Sequence, residues 1–176
     1  PQRGDQMQRA AEQRAEIEAT QKLNIDIPII TGPDRIDPRK LGFTEYDKTS
    51  VGLQLLRQEI LGPEAFDDAF REYIRRWAYK HPTPPDFFRP MSSVSGTRLD
   101  WFWREWFYED PHFDQSIEEV QATDSGSTQH VVVVYGNLAR GVLPILARFT
   151  FSDGTTQDFK YPALVWSTNS TRYIRE

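Results

Sequence analysis

The apolar residues of this 176-residue chain recur every three to four positions up to about residue 112, and every second position beyond it. The two periods place side chains on different faces, so a stretch written for a helix does not sit as a strand, nor the reverse. The chain therefore reads as α+β. A helical bundle is expected over 1–111 and a small antiparallel β-sheet or partial β-sandwich over 112–176.

Within the first part, Met7 to Leu23 is rich in Ala, Glu, Gln and Arg and predicts a mostly exposed helix. Prolines at 28, 33 and 38 make Asn24 to Phe43 extended or looped. Tyr46 to Leu61 carries Tyr46, Thr49, Leu53, Leu56 and Ile60 on one face and Val51 and Leu55 elsewhere, which predicts a helix buried on two sides. Gly62-Pro63 ends it and opens the next, where Phe66, Phe70, Tyr73, Ile74 and Trp77 form an amphipathic stripe. Its outer face is expected to pair Asp67 with Arg71 and Glu72 with Arg76. His81 to Pro85 stops that helix, and Asp86 to Met91 is read as one short turn. Thr97-Arg98-Leu99-Asp100 resembles a capping box, leading into a helix with Leu99, Phe102, Trp103 and Trp106 on one side.

In the second part, Val131 to Val134 is a continuous apolar run, as in a strand covered on both faces. Two alternating segments follow, 145–151 and 159–165, joined by Ser152-Asp153-Gly154. A two-residue loop at Asp153-Gly154 would pair Phe149 with Asp158, mixing core and solvent faces. A three-residue loop with Gly154 left-handed pairs Ala147 with Phe159 and Ile145 with Tyr161, and is the register expected. Pro162 marks that last strand as an edge or a bulge, and self-association through a β edge follows as an expectation.

Composition excludes several classes. Charges of both signs are interspersed at a net −5, which argues against a nucleic-acid surface. No run of eighteen apolar residues is present, so no membrane span is expected. With no cysteine there is neither a disulfide nor a thiolate ligand. The polar opening Pro1-Gln2-Arg3, without Met, reads as that of a processed or excised piece.

Candidate chemistry is sparse. His81, His112 and His130 lie too far apart in sequence for a helical metal pair, so no zinc site is expected within this chain, and His81 is read as a helix-end residue bonding a carbonyl. The carboxylate pairs Asp67-Asp68, Glu109-Asp110 and Glu118-Glu119 are adjacent on their elements and do not converge on one substrate. No Gly-x-Ser-x-Gly elbow occurs. Arg3-Gly4-Asp5 near a terminus reads as coincidence, and Asn169-Ser170-Thr171 is a glycosylation sequon. The aromatic cluster Trp101 to Tyr108 is read as core rather than as a ligand surface.

Tyr46-Asp47-Lys48, followed by Leu53-Gln54-Leu55-Leu56-Arg57 and Gly62-Pro63-Glu64-Ala65-Phe66, resembles a stretch of the aminopeptidase N-like gluzincin family. The likeness continues through Tyr73 to Trp77, the His81-Pro82-Thr83-Pro84 turn with Asp86-Phe87, then Ser95-Gly96, Leu99, Trp101-Phe102-Trp103 and Trp106. It spans about 41 to 109. The resemblance implies that the helical part is the end of a gluzincin catalytic region. It implies a zinc-dependent aminopeptidase acting on peptides, with the His-Glu-x-x-His helix and its downstream Glu lying before Pro1. Neither motif occurs in this sequence, so no cofactor is expected in this chain, and zinc is expected in the longer parent. Tyr46 alone carries over as a catalytic residue, its phenol donating to the tetrahedral oxyanion; the other reading of Tyr46 is an aromatic packed at a helix start. A second function is a non-catalytic protein-interaction module, or a degenerate peptidase whose aromatic helices survive as scaffold.

Overall fold

The computed structural model describes residues 27–110, 112–125, 128–167 and 170–175. The expected helix over 7–23, the Arg3-Gly4-Asp5 tripeptide and Asn169 of the sequon lie outside these. The fold is α+β, with antiparallel sheets, and the chain divides into two compact units, Pro1–Asp110 and Pro111–Glu176.

In the first unit helical backbone begins earlier than the prolines imply. Helix α1 (Pro38–Gly42) passes directly into a π-helical turn, Phe43–Lys48, then α2 (Thr49–Leu55) and a second π turn, Leu56–Ile60. The expected loop over 24–43 therefore ends at Asp37. That residue caps the helix, its carboxylate accepting from the Arg39 backbone N–H at 2.9 Å, and Pro38 sits at the first helical position, where a missing N–H costs nothing. The Arg39 guanidinium beside Asp37 holds its carboxyl down to about 2.

Helix α3 (Pro63–Trp77) starts at Gly62-Pro63 as expected, but it stops before His81-Pro82, where Ala78 leaves the helical region and Tyr79 adopts φ 61°. Its apolar stripe is only partly sunk: Phe66 is buried, whereas Phe70 and Ile74 are exposed. The expected Asp67–Arg71 pair is not made. Asp67 instead takes a two-pronged bond from Arg57 of the second π turn, at 2.8 and 2.9 Å, and Arg71 turns to Asp68. A guanidinium fork matches both carboxylate oxygens, which explains why Arg57 takes Asp67. Glu72 holds Arg76 as expected, and Arg75 as well.

The segment after His81-Pro82 is not a short turn but a helix, α4 (Pro84–Ser95). Thr83 and Asp86 open it, with Asp86 Oδ2 accepting from the Thr83 N–H at 2.9 Å and the Thr83 hydroxyl at 2.6 Å. Gly96, at φ 69°, closes it. The capping box thus stands at 83–86 and not at 97–100. Helix α5 (Asp100–Trp103) begins with no side-chain cap, while Asp100 faces Arg98 at 3.6 Å; a third π turn, Arg104–Tyr108, continues it.

Of the aromatic cluster, Phe102, Trp103, Trp106 and Phe107 are core, whereas Trp101 is half-buried and Tyr108 is exposed. Trp103 stacks on Phe88 with ring centroids 4.4 Å apart and meets Phe87, Phe102 and Phe107 edge-on. Phe102 and Leu99 are fully buried.

In the second unit β1 (Gln115–Ser125), β2 (Thr128–Asn137) and β5 (Arg172–Arg175) form an antiparallel sheet in the order β1-β2-β5; β3 (Ile145–Thr150) and β4 (Thr156–Tyr161) form a separate hairpin. Val133 and Val134 on the central strand are both buried, so it is covered on both faces. The hairpin register is Ile145 with Tyr161 and Ala147 with Phe159, as side-chain parity requires. Phe151 N–H bonds Thr155 C=O at 2.9 Å around Ser152-Asp153-Gly154, and Gly154 has φ 82°. The strand expected to run to Val165 ends at Tyr161, because Pro162 cannot donate to a ladder; Ala163–Ser167 form a 3-10 turn. That turn sends Trp166 into a core of Val133, Tyr135 and Ile145.

Candidate functional site

The one residue to which sequence assigns chemistry, Tyr46, lies on the first π turn of the helical unit. A π turn admits an extra residue and so rotates the side chains around it. Here Thr44 is fully buried while Tyr46, at 74% exposed, projects into solvent. Tyr46 is therefore not packed at a helix start on the core.

Two residues further on, at Lys48, the chain is fastened. The Lys48 ammonium donates to the Ile27 carbonyl at 3.0 Å and to Asp110 Oδ1 at 2.5 Å, with the two side chains only 11% and 21% exposed. The Ile30 N–H donates to the Phe107 carbonyl at 2.9 Å. Three places far apart in sequence, 27–30, Lys48 and 107–110, thus meet. Sequence reasoning noted Lys48 only as part of a motif. No local signal reveals its partners, since Asp110 is 62 positions away.

The other candidates separate. His81 is exposed beyond the end of α3, and its ring makes no hydrogen bond among the described residues, so the expected carbonyl contact is not formed. His112 and His130 belong to the second unit. Among the described residues no three His, Cys, Asp or Glu side chains come together as a metal-ligand group.

Each acidic pair is taken by cations. Asp67 and Asp68 diverge to Arg57 and Arg71, Glu109 and Asp110 to Arg104 and Lys48, while Glu118 and Glu119 share Arg172. Such pairing holds the Asp67 carboxyl below its usual range through the Arg57 hydrogen bonds. In the second unit burial pushes the Tyr135 phenol up, and Tyr161 and Tyr173 act in the same direction. No helix is long and apolar enough to cross a membrane among the described residues.

Comparison with protein-family models, with curated proteins and with solved structures finds no match to this chain. The class that the fold defines is an α+β protein of two units.

Proposed function

We propose that this chain is the C-terminal portion of an aminopeptidase N-like zinc aminopeptidase, in which Tyr46 stabilises the oxyanion of peptide hydrolysis. The reading rests on the resemblance through 41–109. The observation that supports it best is an exposed Tyr46 phenol two residues before Lys48, whose half-buried pair with Asp110 ties down the chain there. Preorganised donors are the ones that stabilise developing charge, because they need no rearrangement as the reaction proceeds. When water attacks the scissile carbonyl, its oxygen gains negative charge, and the phenol O–H donates a hydrogen bond to it. The metal belongs to the longer protein; no step is assigned to it on these residues.

The test is direct. The parent coding sequence should carry His-Glu-x-x-His roughly 50–80 residues before Tyr46, and the parent should hold zinc and release N-terminal residues from peptides. The isolated chain should hold no stoichiometric zinc. A parent without that motif and without activity favours the interaction module; one tightly held zinc on the isolated chain contradicts the fragment reading.

A further inference from the structure

Helix α3 ends among cations. Arg75, Arg76 and Lys80, with Arg89 from α4, line a groove of about 490 Å³ whose other walls are Trp77, Asp86 and Pro90. In a chain of net charge −5, four cations converging on one groove run against the general balance. The negative end of a helix dipole attracts positive side chains in its last turn. That accounts for Arg75 and Arg76; Arg89 comes from a different helix, three residues after Asp86.

Lys80 is placed by an unusual backbone. Tyr79 has φ 61°, in the left-handed region where glycine is the ordinary choice. The resulting turn brings the Lys80 N–H to the Trp77 carbonyl at 3.0 Å and its ammonium to the Arg76 carbonyl at 2.8 Å, 5.9 Å from the centre of the Trp77 ring. The carboxylates facing the cations are few. Glu72 takes both prongs of Arg75 at 2.7 Å and Arg76 at 2.6 Å, and Asp86, bonded by Thr83, also attracts Arg89.

We propose that the groove between the end of α3 and α4 binds a small, soluble phosphate-bearing ligand through Arg75, Arg76, Lys80 and Arg89, with its organic part against Trp77. Four cations against two carboxylates leave an excess of charge that a phosphate dianion matches and a carboxylate does not. Guanidinium forks take pairs of phosphate oxygens, and the ammonium adds a point charge. The indole offers a flat apolar wall to whatever carries the phosphate. The site shares no residue with Tyr46, so it stands or falls independently of the aminopeptidase reading.

Inorganic pyrophosphate titrated into the chain by calorimetry at low salt should bind saturably, one per chain. Because these side chains are solvent-exposed, Arg76→Gln and Arg89→Gln should each weaken binding about fivefold, roughly the upper worth of an exposed ion pair. Arg98→Gln, outside the groove, should leave it unchanged, and thermal melts of all three should coincide with the parent chain. Acetate binding as tightly as pyrophosphate would overturn the proposal. So would binding unaffected by both groove variants, or no saturable pyrophosphate binding at all. Binding only to vesicles of phosphatidylcholine doped with phosphatidic acid, and not to free pyrophosphate, would overturn it too, by assigning the groove to a membrane surface.

Discussion

Both units build their cores from aromatic rings, but they choose different rings. The helical unit surrounds Trp103 with Phe87, Phe88, Phe102 and Phe107. The β unit instead gathers Tyr135, Tyr161 and Tyr173, with centroids 5.5–6.3 Å apart, beside Trp166. Tyr161 and Tyr173 are half-buried, and a phenol suits such a position because its ring is apolar and its tip polar, while Tyr135 is buried among them. The buried rings of the bundle are Phe and Trp. Its tyrosine at position 46 then stands apart from the core, which is why exposure there is informative.

If that contrast is right, the largest loss should come from the centre of the helical core. Trp103→Ala is expected to cost ~3–5 kcal/mol, the usual range for deleting a buried aromatic. The urea midpoint reads this, and an unchanged midpoint would make the aromatic face a surface.

A smaller loss should follow from unfastening the chain at Lys48. Lys48→Met leaves Asp110 without its cation and should cost about 3 kcal/mol, the low end for breaking a buried pair, since both side chains retain some solvent contact. Adding Asp110→Leu should return part of that loss. A double variant no more stable than the single one would show that the charges do not act as a pair.

Two glycines, one in each unit, are required for different reasons. At Gly52 a Cβ would meet the Trp106 ring at 2.9 Å, so Gly52→Ala should destabilise by ~1–2 kcal/mol, overpacking outweighing the better helix propensity of Ala. At Gly154 a Cβ meets nothing within 4 Å, but φ is 82°, so Gly154→Ala should cost about 1 kcal/mol through backbone strain alone. Trp106→Leu should relieve the first penalty. Nothing in the surrounding packing should relieve the second.

The smallest effect concerns acid. Arg75 and Arg76 hold the Glu72 carboxyl down, from 4.5 to about 2. A carboxyl with a depressed folded-state pKa contributes stability that is present above its unfolded value and lost as pH falls through the folded one. Thermal melts should thus show a Glu72 contribution that is constant above about pH 5 and disappears between about 4.5 and 2. Glu72→Gln should flatten that part of the profile, while leaving the melt at pH 7 nearly parental because the pair is exposed to solvent.

Much of this was legible where one local rule acted alone. Period and proline placement give α3, and parity gives the 145–161 pairing together with the loop at Gly154. Legibility failed where two rules competed. Pro38, Pro84 and Pro85 look like breakers, yet each stands in the first turn of a helix, where proline fits. The π turns carry no sequence mark, so the outward rotation of Tyr46 could not be read. The ties of Lys48 to Ile27 and Asp110 are long-range, and only folding reveals them.

The most direct measurement is the steady-state kinetics of Tyr46→Phe in the longer zinc-bearing parent. Phe keeps the ring, and the lost hydroxyl faces solvent, so fold and zinc content should be unchanged. The oxyanion exists only along the reaction path, so KM should move little. Removal of one such donor should lower kcat by ~10²–10³, about 2.7–4 kcal/mol. A kcat within about threefold of the parent, under ~0.7 kcal/mol, would contradict the assignment of Tyr46 and with it the catalytic reading of this chain.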